Sequence, residues 1–200
     1  MWQAATNLLC EYFGNCAETL ISAGGARAVE LGSGAGVAGM VWARLCASRG
    51  AVPAVTLTDY HPTVLRTLAQ NVDLNGLSGS CTVERLAWGD AAPRARAQLV
   101  FGSELAVSEA AAAALAATLD ALLTPRAVFL YAHTARRAIF RGADGELCRE
   151  DGDSALGTLV AALAPRRCVE LAADDSGDER VVLLGFGSTA ADLATMHRRG

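Results

Sequence analysis

Apolar positions along this chain alternate between helical and strand-like periods, and that alternation predicts an architecture. From Ala4 onward, Leu8, Leu9, Tyr12 and Phe13 recur at helical spacing until Gly24-Gly25 interrupts them. Arg27 to Leu31 reads as a strand and Val37 to Ala47 as a helix. Val55 to Thr58 is a second strand. A helix follows from Pro62, a residue suited to a first helical turn, to Leu74, where Asn75-Gly76 supplies a C-terminal stop. Thr82 to Trp88 and Gln98 to Phe101 are predicted strands on either side of a loop containing Pro93. Ser108 to Leu123 reads as a helix rich in alanine, the best helix former, with Leu115, Leu119, Leu122 and Leu123 keeping the period. Ala127 to Ala132 is a strand, the charged stretch to Asp153 an ordinary solvated connection, and Leu156 to Leu163 a helix.

The C-terminal part breaks this rhythm. Cys168 to Leu171 and Arg180 to Leu184 read as strands joined by a hairpin turn through residues 173–178. Alternating strands and helices imply a mostly parallel sheet covered on both faces. The expected fold is therefore α/β and Rossmann-like: a seven-stranded, mostly parallel sheet with helices on both faces and a C-terminal antiparallel hairpin. Neither an internal repeat nor a long linker marks a second domain, so residues 1–200 are expected to form one.

Composition narrows the function. A hydrophobic content of 52% over 200 residues supports one sizeable core. A net charge of −4 argues against a nucleic-acid surface, which needs a basic excess. No apolar run approaches the roughly 20 residues of a membrane span, and Glu11, Asn15 and Glu18 interrupt the N-terminal stretch where a signal peptide would be apolar. The six cysteines form no C-x-x-C pair and read as reduced, buried thiols. No metal site is expected, because the three histidines stand far from one another and from any familiar ligand spacing. These features suggest a soluble, cytoplasmic protein without membrane or nucleic-acid partners.

The most specific chemistry lies between the first strand and the next helix. Gly34-Ala35-Gly36-Val37-Ala38-Gly39 matches G-x-G-x-x-G, a weak signal alone in a chain with 20 glycines. Its strand-to-helix setting points to an adenosine-bearing ligand held at a helix N-terminus. Glu30 just before it would repel a pyrophosphate and attract a cationic amino group. S-adenosylmethionine carries an ammonium and a sulfonium but no phosphate. Asp59, after the second strand, can accept hydrogen bonds from ribose hydroxyls, or cap the helix that begins at Pro62. Trp88 can pack against adenine, or simply fill the core.

Several segments resemble the seven-β-strand S-adenosylmethionine-dependent methyltransferases. Glu30-Leu31-Gly32-Ser33-Gly34-Ala35-Gly36 is similar to that family's motif I. Within the family, the protein-lysine methyltransferase group is closest. Trp2-Gln3-Ala4-Ala5, with Leu8, Leu9, Glu11 and Tyr12, is similar to its first helix. Thr58-Asp59-Tyr60-His61-Pro62, with Val64-Leu65, Asn71-Val72 and Leu74-Asn75-Gly76, is most like its elongation factor 2 lysine methyltransferase branch. Leu86-Ala87-Trp88-Gly89 and Ala132-His133-Thr134-Ala135-Arg136 also match group segments. The resemblance implies S-adenosylmethionine as cofactor, S-adenosylhomocysteine as product, and a protein acceptor such as a translation factor. It implies cofactor contacts from Trp2, Gly32, Ser33, Gly34, Asp59, Trp88 and Ser103, and the reading of the residues themselves adds Glu30, Gly36 and Tyr60 as candidate cofactor contacts.

Two departures qualify it. Where the group carries D-x-x-Y, this chain has Glu104-Leu105-Ala106-Val107. Glu104 keeps the acid and is the candidate catalytic residue, orienting a lysine ammonium; its other reading is a first-turn acid on the following helix. Met1 falls immediately before the group's tryptophan, so its upstream segment is expected to be absent. Tyr131 and His133 are candidates for the channel mouth, and His133 for a general base or a structural histidine. Other functions left open are a cofactor-binding module without catalysis, a small-molecule methyltransferase and, from the literal glycine pattern, an NAD-linked oxidoreductase.

Overall fold

Ala5, Leu9, Phe13, Ala17 and Leu20 share one face of the first helix, α1 (Trp2–Leu20), and all are buried. The structure is a computed structural model describing residues 2–89, 97–135, 139–141, 146–149, 152–177 and 179–187, with backbone alone at 2, 3, 139–141 and 147–149. A single π-helical turn, Ile21–Gly25, follows α1, and Gly24 reverses the chain there at φ 90°. Next come β1 (Arg27–Glu30), α2 (Val37–Ser48), β2 (Ala54–Asp59), α3 (Pro62–Leu74), β3 (Cys81–Arg85) and β4 (Ala97–Ser103). The remainder is α4 (Glu109–Leu122), β5 (Leu123–Thr134), β6 (Ile139–Arg141), β7 (Leu147–Arg149), α5 (Ser154–Ala162), β8 (Arg167–Asp174) and β9 (Val181–Gly187).

Seven strands form one sheet in the order β3-β2-β1-β4-β5-β9-β8. The pairs from β3 through β5 are parallel, whereas β9 is antiparallel to both β5 and β8. The expected mostly parallel sheet is present, and its one reversed strand belongs to the C-terminal hairpin. Successive strand residues face opposite layers. Ala28, Leu99, Phe101, Val128 and Leu130 pack with α1, α2 and α3. Val29, Val100, Phe129 and Tyr131 pack with α4 and α5.

Three boundaries differ from expectation. β3 ends at Arg85, so Trp88 stands in a turn beyond the strand. β5 begins at Leu123, which the helical period had placed at the end of α4. Leu123 is buried in either role, so burial pattern alone does not distinguish them, and its extended backbone (φ −75°, ψ 117°) decides. Between β5 and α5, an antiparallel pair, β6 with β7, occupies part of the expected plain connection. Three residues per strand are too few for a period to be read.

The order of strands reverses between β1 and β4. In such sheets the crevice outside the strand ends at this switch point is where ligands bind. Among the described residues no helix is long and apolar enough to cross a membrane, and no group of side chains is arranged for a metal ion. Among the described residues Cys10, Cys16, Cys46, Cys81 and Cys168 form no disulfide; burial pushes the thiols of Cys10, Cys46 and Cys81 up to about 11.

Phe13 connects three elements. Its ring centroid lies 4.8 Å from Trp42 of α2 and 5.0 Å from Phe101 of β4. Phe13→Ala is expected to cost about 3–5 kcal/mol in equilibrium denaturation, the usual range for emptying an aromatic core position.

Candidate functional site

The loop after β1 is pinned from two directions. The Ser33 amide donates to the Thr58 carbonyl at 2.7 Å, and the Thr58 amide donates back to Ser33 Oγ at 3.0 Å. Thr58 Oγ1 donates to the Glu30 carbonyl at 2.7 Å, while Asn71 Nδ2 of α3 donates to the Ala35 carbonyl at 2.9 Å. The glycines of this loop have different tasks. Gly34 (φ 53°) has open space where a Cβ would stand, so ligand atoms have access to its backbone. Gly36 (φ 82°) is the N-cap of α2, and a Cβ there would run into Leu68.

Glu30 ends β1 and is 4% exposed. Its Oε2 accepts the Gly39 amide at 3.2 Å. Burial pushes its carboxyl up to about 8, with Ser33 and the Gly39 amide opposing the rise. Where no cation stands beside it, burial thus favours the neutral acid over the carboxylate expected from the sequence.

Asp59 ends β2. Its Oδ1 accepts the His61 amide at 3.0 Å and its Oδ2 accepts the Gly34 amide at 3.3 Å. The cap of α3 is His61 instead, whose Nδ1 accepts the Thr63 amide at 3.2 Å. Asp59 thus ties the two loops together, and each oxygen retains acceptor capacity.

After β4 the chain enters Glu104 at φ 57°, the one non-glycine residue with positive φ among those described. Its amide donates to the Ala132 carbonyl at 3.0 Å, and its Oε1 accepts the Thr134 amide at 2.7 Å. The first-turn reading of Glu104 fails: α4 begins at Glu109 with Ser108 as N-cap. Leu105 turns inward beneath Gly32, where a Cβ would come within 2.6 Å of Leu105 Cδ2.

These loops line two adjoining cavities. The smaller, of about 160 Å³, is lined by Thr6, Glu30, Ser33, Gly34, Val37 and neighbouring backbone. The larger, of about 420 Å³, is lined by Asp59, Tyr60, Leu86, Trp88, Leu105 and Val107 among others. Gly32, Ser103 and Glu104 line both. Most of the sequence-predicted residues therefore meet at one cleft. Gly36 does not line it and serves the turn. The side chain of Trp2 lies outside the described residues.

Tyr131 and His133 also fail to reach the cleft wall; they are 0% and 1% exposed, inside the sheet's other layer. Thr6 is a site residue the sequence reading missed. Its Oγ1 lies 2.9 Å from Ser103 Oγ. Its spacing of four from Trp2 on α1 is the signal that would have found it.

A model of the lysine methyltransferase family matches residues 1–142, a span that contains every cleft residue named above. The chain belongs to that family. It is an S-adenosylmethionine-dependent methyltransferase by class, and the NAD-linked reading is overturned by this membership. No curated protein matches the chain. Among solved structures, the glycopeptide N-methyltransferase MtfA in complex with sinefungin is similar with a TM-score of 0.59 and 17% identity, over 88% of this chain and 85% of that one. The mitomycin 7-O-methyltransferase MmcR reaches a TM-score of 0.60 at 14% identity, over 88% of this chain and 53% of the other. The ribosomal protein L11 methylase from Lactobacillus delbrueckii subsp. bulgaricus gives 0.54 at 15%, over 80% and 69%. At these identities the likeness is one of fold.

The raised Glu30 carboxyl has a measurable consequence in the ligand-free protein. Between its ordinary 4.5 and about 8, the folded chain holds a proton that the unfolded chain has released. That contribution to stability is full below about 4.5 and is lost as pH rises through about 8. Glu30→Gln is expected to flatten the fall in melting temperature between pH 6 and 8, as read by thermal scans across that range.

Proposed function

We propose that this protein transfers a methyl group from S-adenosylmethionine to a lysine side chain of a protein, with a translation factor as the specific acceptor class. The observation that carries this reading is Glu104, an acid held in a left-handed backbone conformation where the two cavities meet. Strain of that kind persists only where the surrounding structure enforces it, and it concentrates at functional sites.

The residues lining the cleft suit the cofactor. In this reading Glu30, Thr6, Ser103 and the backbone of Gly32, Ser33 and Gly34 receive the amino-acid end. Asp59 takes the ribose hydroxyls, with Tyr60 beside it, and Leu86 and Trp88 flank the adenine. An ammonium next to Glu30 favours its carboxylate form, so cofactor binding there is coupled to release of the Glu30 proton. Asp59→Ala is expected to weaken S-adenosylhomocysteine binding at least about tenfold by calorimetry, since it removes a charged acceptor from ligand hydroxyls.

The cofactor supplies a sulfonium-bound methyl that an amine lone pair takes as the carbon–sulfur electrons return to sulfur. The protein's work is alignment, exclusion of water and management of one proton. A lysine has an unperturbed pKa of about 10.4 and must lose its proton before it attacks. Burial in the cleft lowers that value. Glu104 would hold the ammonium in place and pass its proton towards solvent. A carboxylate offers about four acceptor positions, so the bond from Thr134 sets its direction without exhausting it.

The purified protein with labelled S-adenosylmethionine, added to a lysate from cells lacking the gene, is expected to mark protein lysine, read by mass spectrometry. Label on small molecules alone would replace the acceptor class. No label at any pH, with cofactor binding intact, would leave a binding module. Glu104→Gln is expected to lower kcat at least about 10²-fold, with cofactor affinity nearly unchanged.

A further inference from the structure

The last four residues of β5 bond repeatedly to the segment that carries Glu104. Backbone groups of Ala132 and Thr134 take the Glu104 amide and carboxylate, at 3.0 Å and 2.7 Å. Side chains from the alternate positions, Tyr131 and His133, point into the opposite layer, as the pleat requires. There the Tyr131 hydroxyl accepts the Ala106 amide at 2.9 Å, two residues beyond Glu104. The same hydroxyl lies 2.7 Å from His133 Nδ1, and His133 Nε2 lies 2.8 Å from Asp153 Oδ2. Asp153 is the N-cap of α5, its Oδ1 accepting the Leu156 amide at 2.8 Å.

We propose that Tyr131, aimed by His133 and Asp153, is a positioning residue that sets the conformation of Glu104. This deepens the methyl-transfer reading and rests on it. With His133 as a neutral imidazole, the donors and acceptors allow one consistent order. The Ala106 amide donates to the Tyr131 oxygen, the phenol proton goes to His133 Nδ1, and His133 donates from Nε2 to Asp153. Burial raises the Tyr131 pKa, so its proton stays available to His133. With His133 in the opposite tautomer, both Tyr131 and Asp153 would lose their match.

The consequence for Glu104 follows from chain geometry. A left-handed conformation at a non-glycine residue costs free energy and relaxes unless both flanks are fixed. The Ala132 carbonyl fixes the Glu104 amide itself. On the C-terminal flank Leu105 fits beneath Gly32 and Gly102, and the Ala106 amide is tied to Tyr131. Removing that tie leaves the C-terminal flank with the Leu105 packing alone and breaks no bond of the cofactor loops of β1 and β2. A hydroxyl with a solely structural role would contribute to stability and leave transfer by Glu104 unaltered.

Tyr131→Phe keeps the ring that stacks on Phe129, at 5.8 Å between centroids, and deletes only the hydroxyl. Its Ala106 amide is expected to exchange hydrogen at least about tenfold faster by NMR. Its kcat is expected to fall about tenfold or more, because small misplacements of a reacting group are costly. S-adenosylhomocysteine affinity should stay within about twofold of the parent's. Combined with Glu104→Gln, Tyr131→Phe should add no further loss, as expected of residues acting through one another. His133→Asn, which retains an acceptor near the Nδ1 position, should keep more activity than His133→Leu.

Unchanged Ala106 exchange, fully additive losses, or an equal fall in cofactor affinity would each overturn the proposal. If the parent protein transfers no methyl to any acceptor, the methyl-transfer reading fails separately, and the exchange measurement alone decides whether Tyr131 holds this segment.

Discussion

The close packing of Leu105 against two glycines holds the cleft together. A Cβ on Gly32 or on Gly102 would come within 2.6 Å of a Leu105 methyl, and on Gly102 also within 2.8 Å of the Leu31 carbonyl oxygen, so Leu105 could not keep its place beside a side chain at either. This contact draws the segment after β4 against the loop after β1, across the point where strand order reverses. With a bulkier residue at either glycine the two loops would separate, and the cavities that share Gly32, Ser103 and Glu104 would no longer adjoin. Reciprocal bonds between Ser33 and Thr58 extend the same frame to β2 and so to Asp59.

On this frame, two acids are placed under different constraints. Glu30 is enclosed, and burial raises its carboxyl so that a nearby cation favours its ionisation. Glu104 is half-buried and directed by backbone groups of β5. The first suits recognition of a cationic ligand; the second suits orientation of a reacting amine. Burial and strain, both unfavourable alone, are tolerated here because the surrounding sheet is paid for by its own core.

Much of this was legible without coordinates. Periodicity located the helices and strands to within a few residues, because each buries a face that must recur at 3.6 or 2 positions. The glycine loop, Asp59 and Trp88 were legible because short chemistry tied to strand ends leaves a local signature, whereas Ser103 was legible only through the family resemblance. Thr6 was missed because it belongs to no motif of its own and reaches the cleft from α1, where only its spacing of four from Trp2 marks it. Gly36 was assigned to a ligand because a glycine pattern does not reveal which member faces open space and which faces Leu68. Tyr131 and His133 were drawn towards the channel because sequence gives no side of the sheet at a strand end.

The sequence by itself determined the fold class, the antiparallel hairpin and the presence of a glycine turn beside two acids. These depend on local propensity and on patterns within about ten residues, which the chain carries wherever it is placed. Tertiary structure alone decided that β9 lies between β5 and β8, that Asp59 bonds to Gly34 while His61 caps α3, and that Glu104 takes a left-handed conformation. It also buried Glu30 and so raised its carboxyl. Each of these depends on which distant groups come within bonding distance, and burial sets the strength of the result.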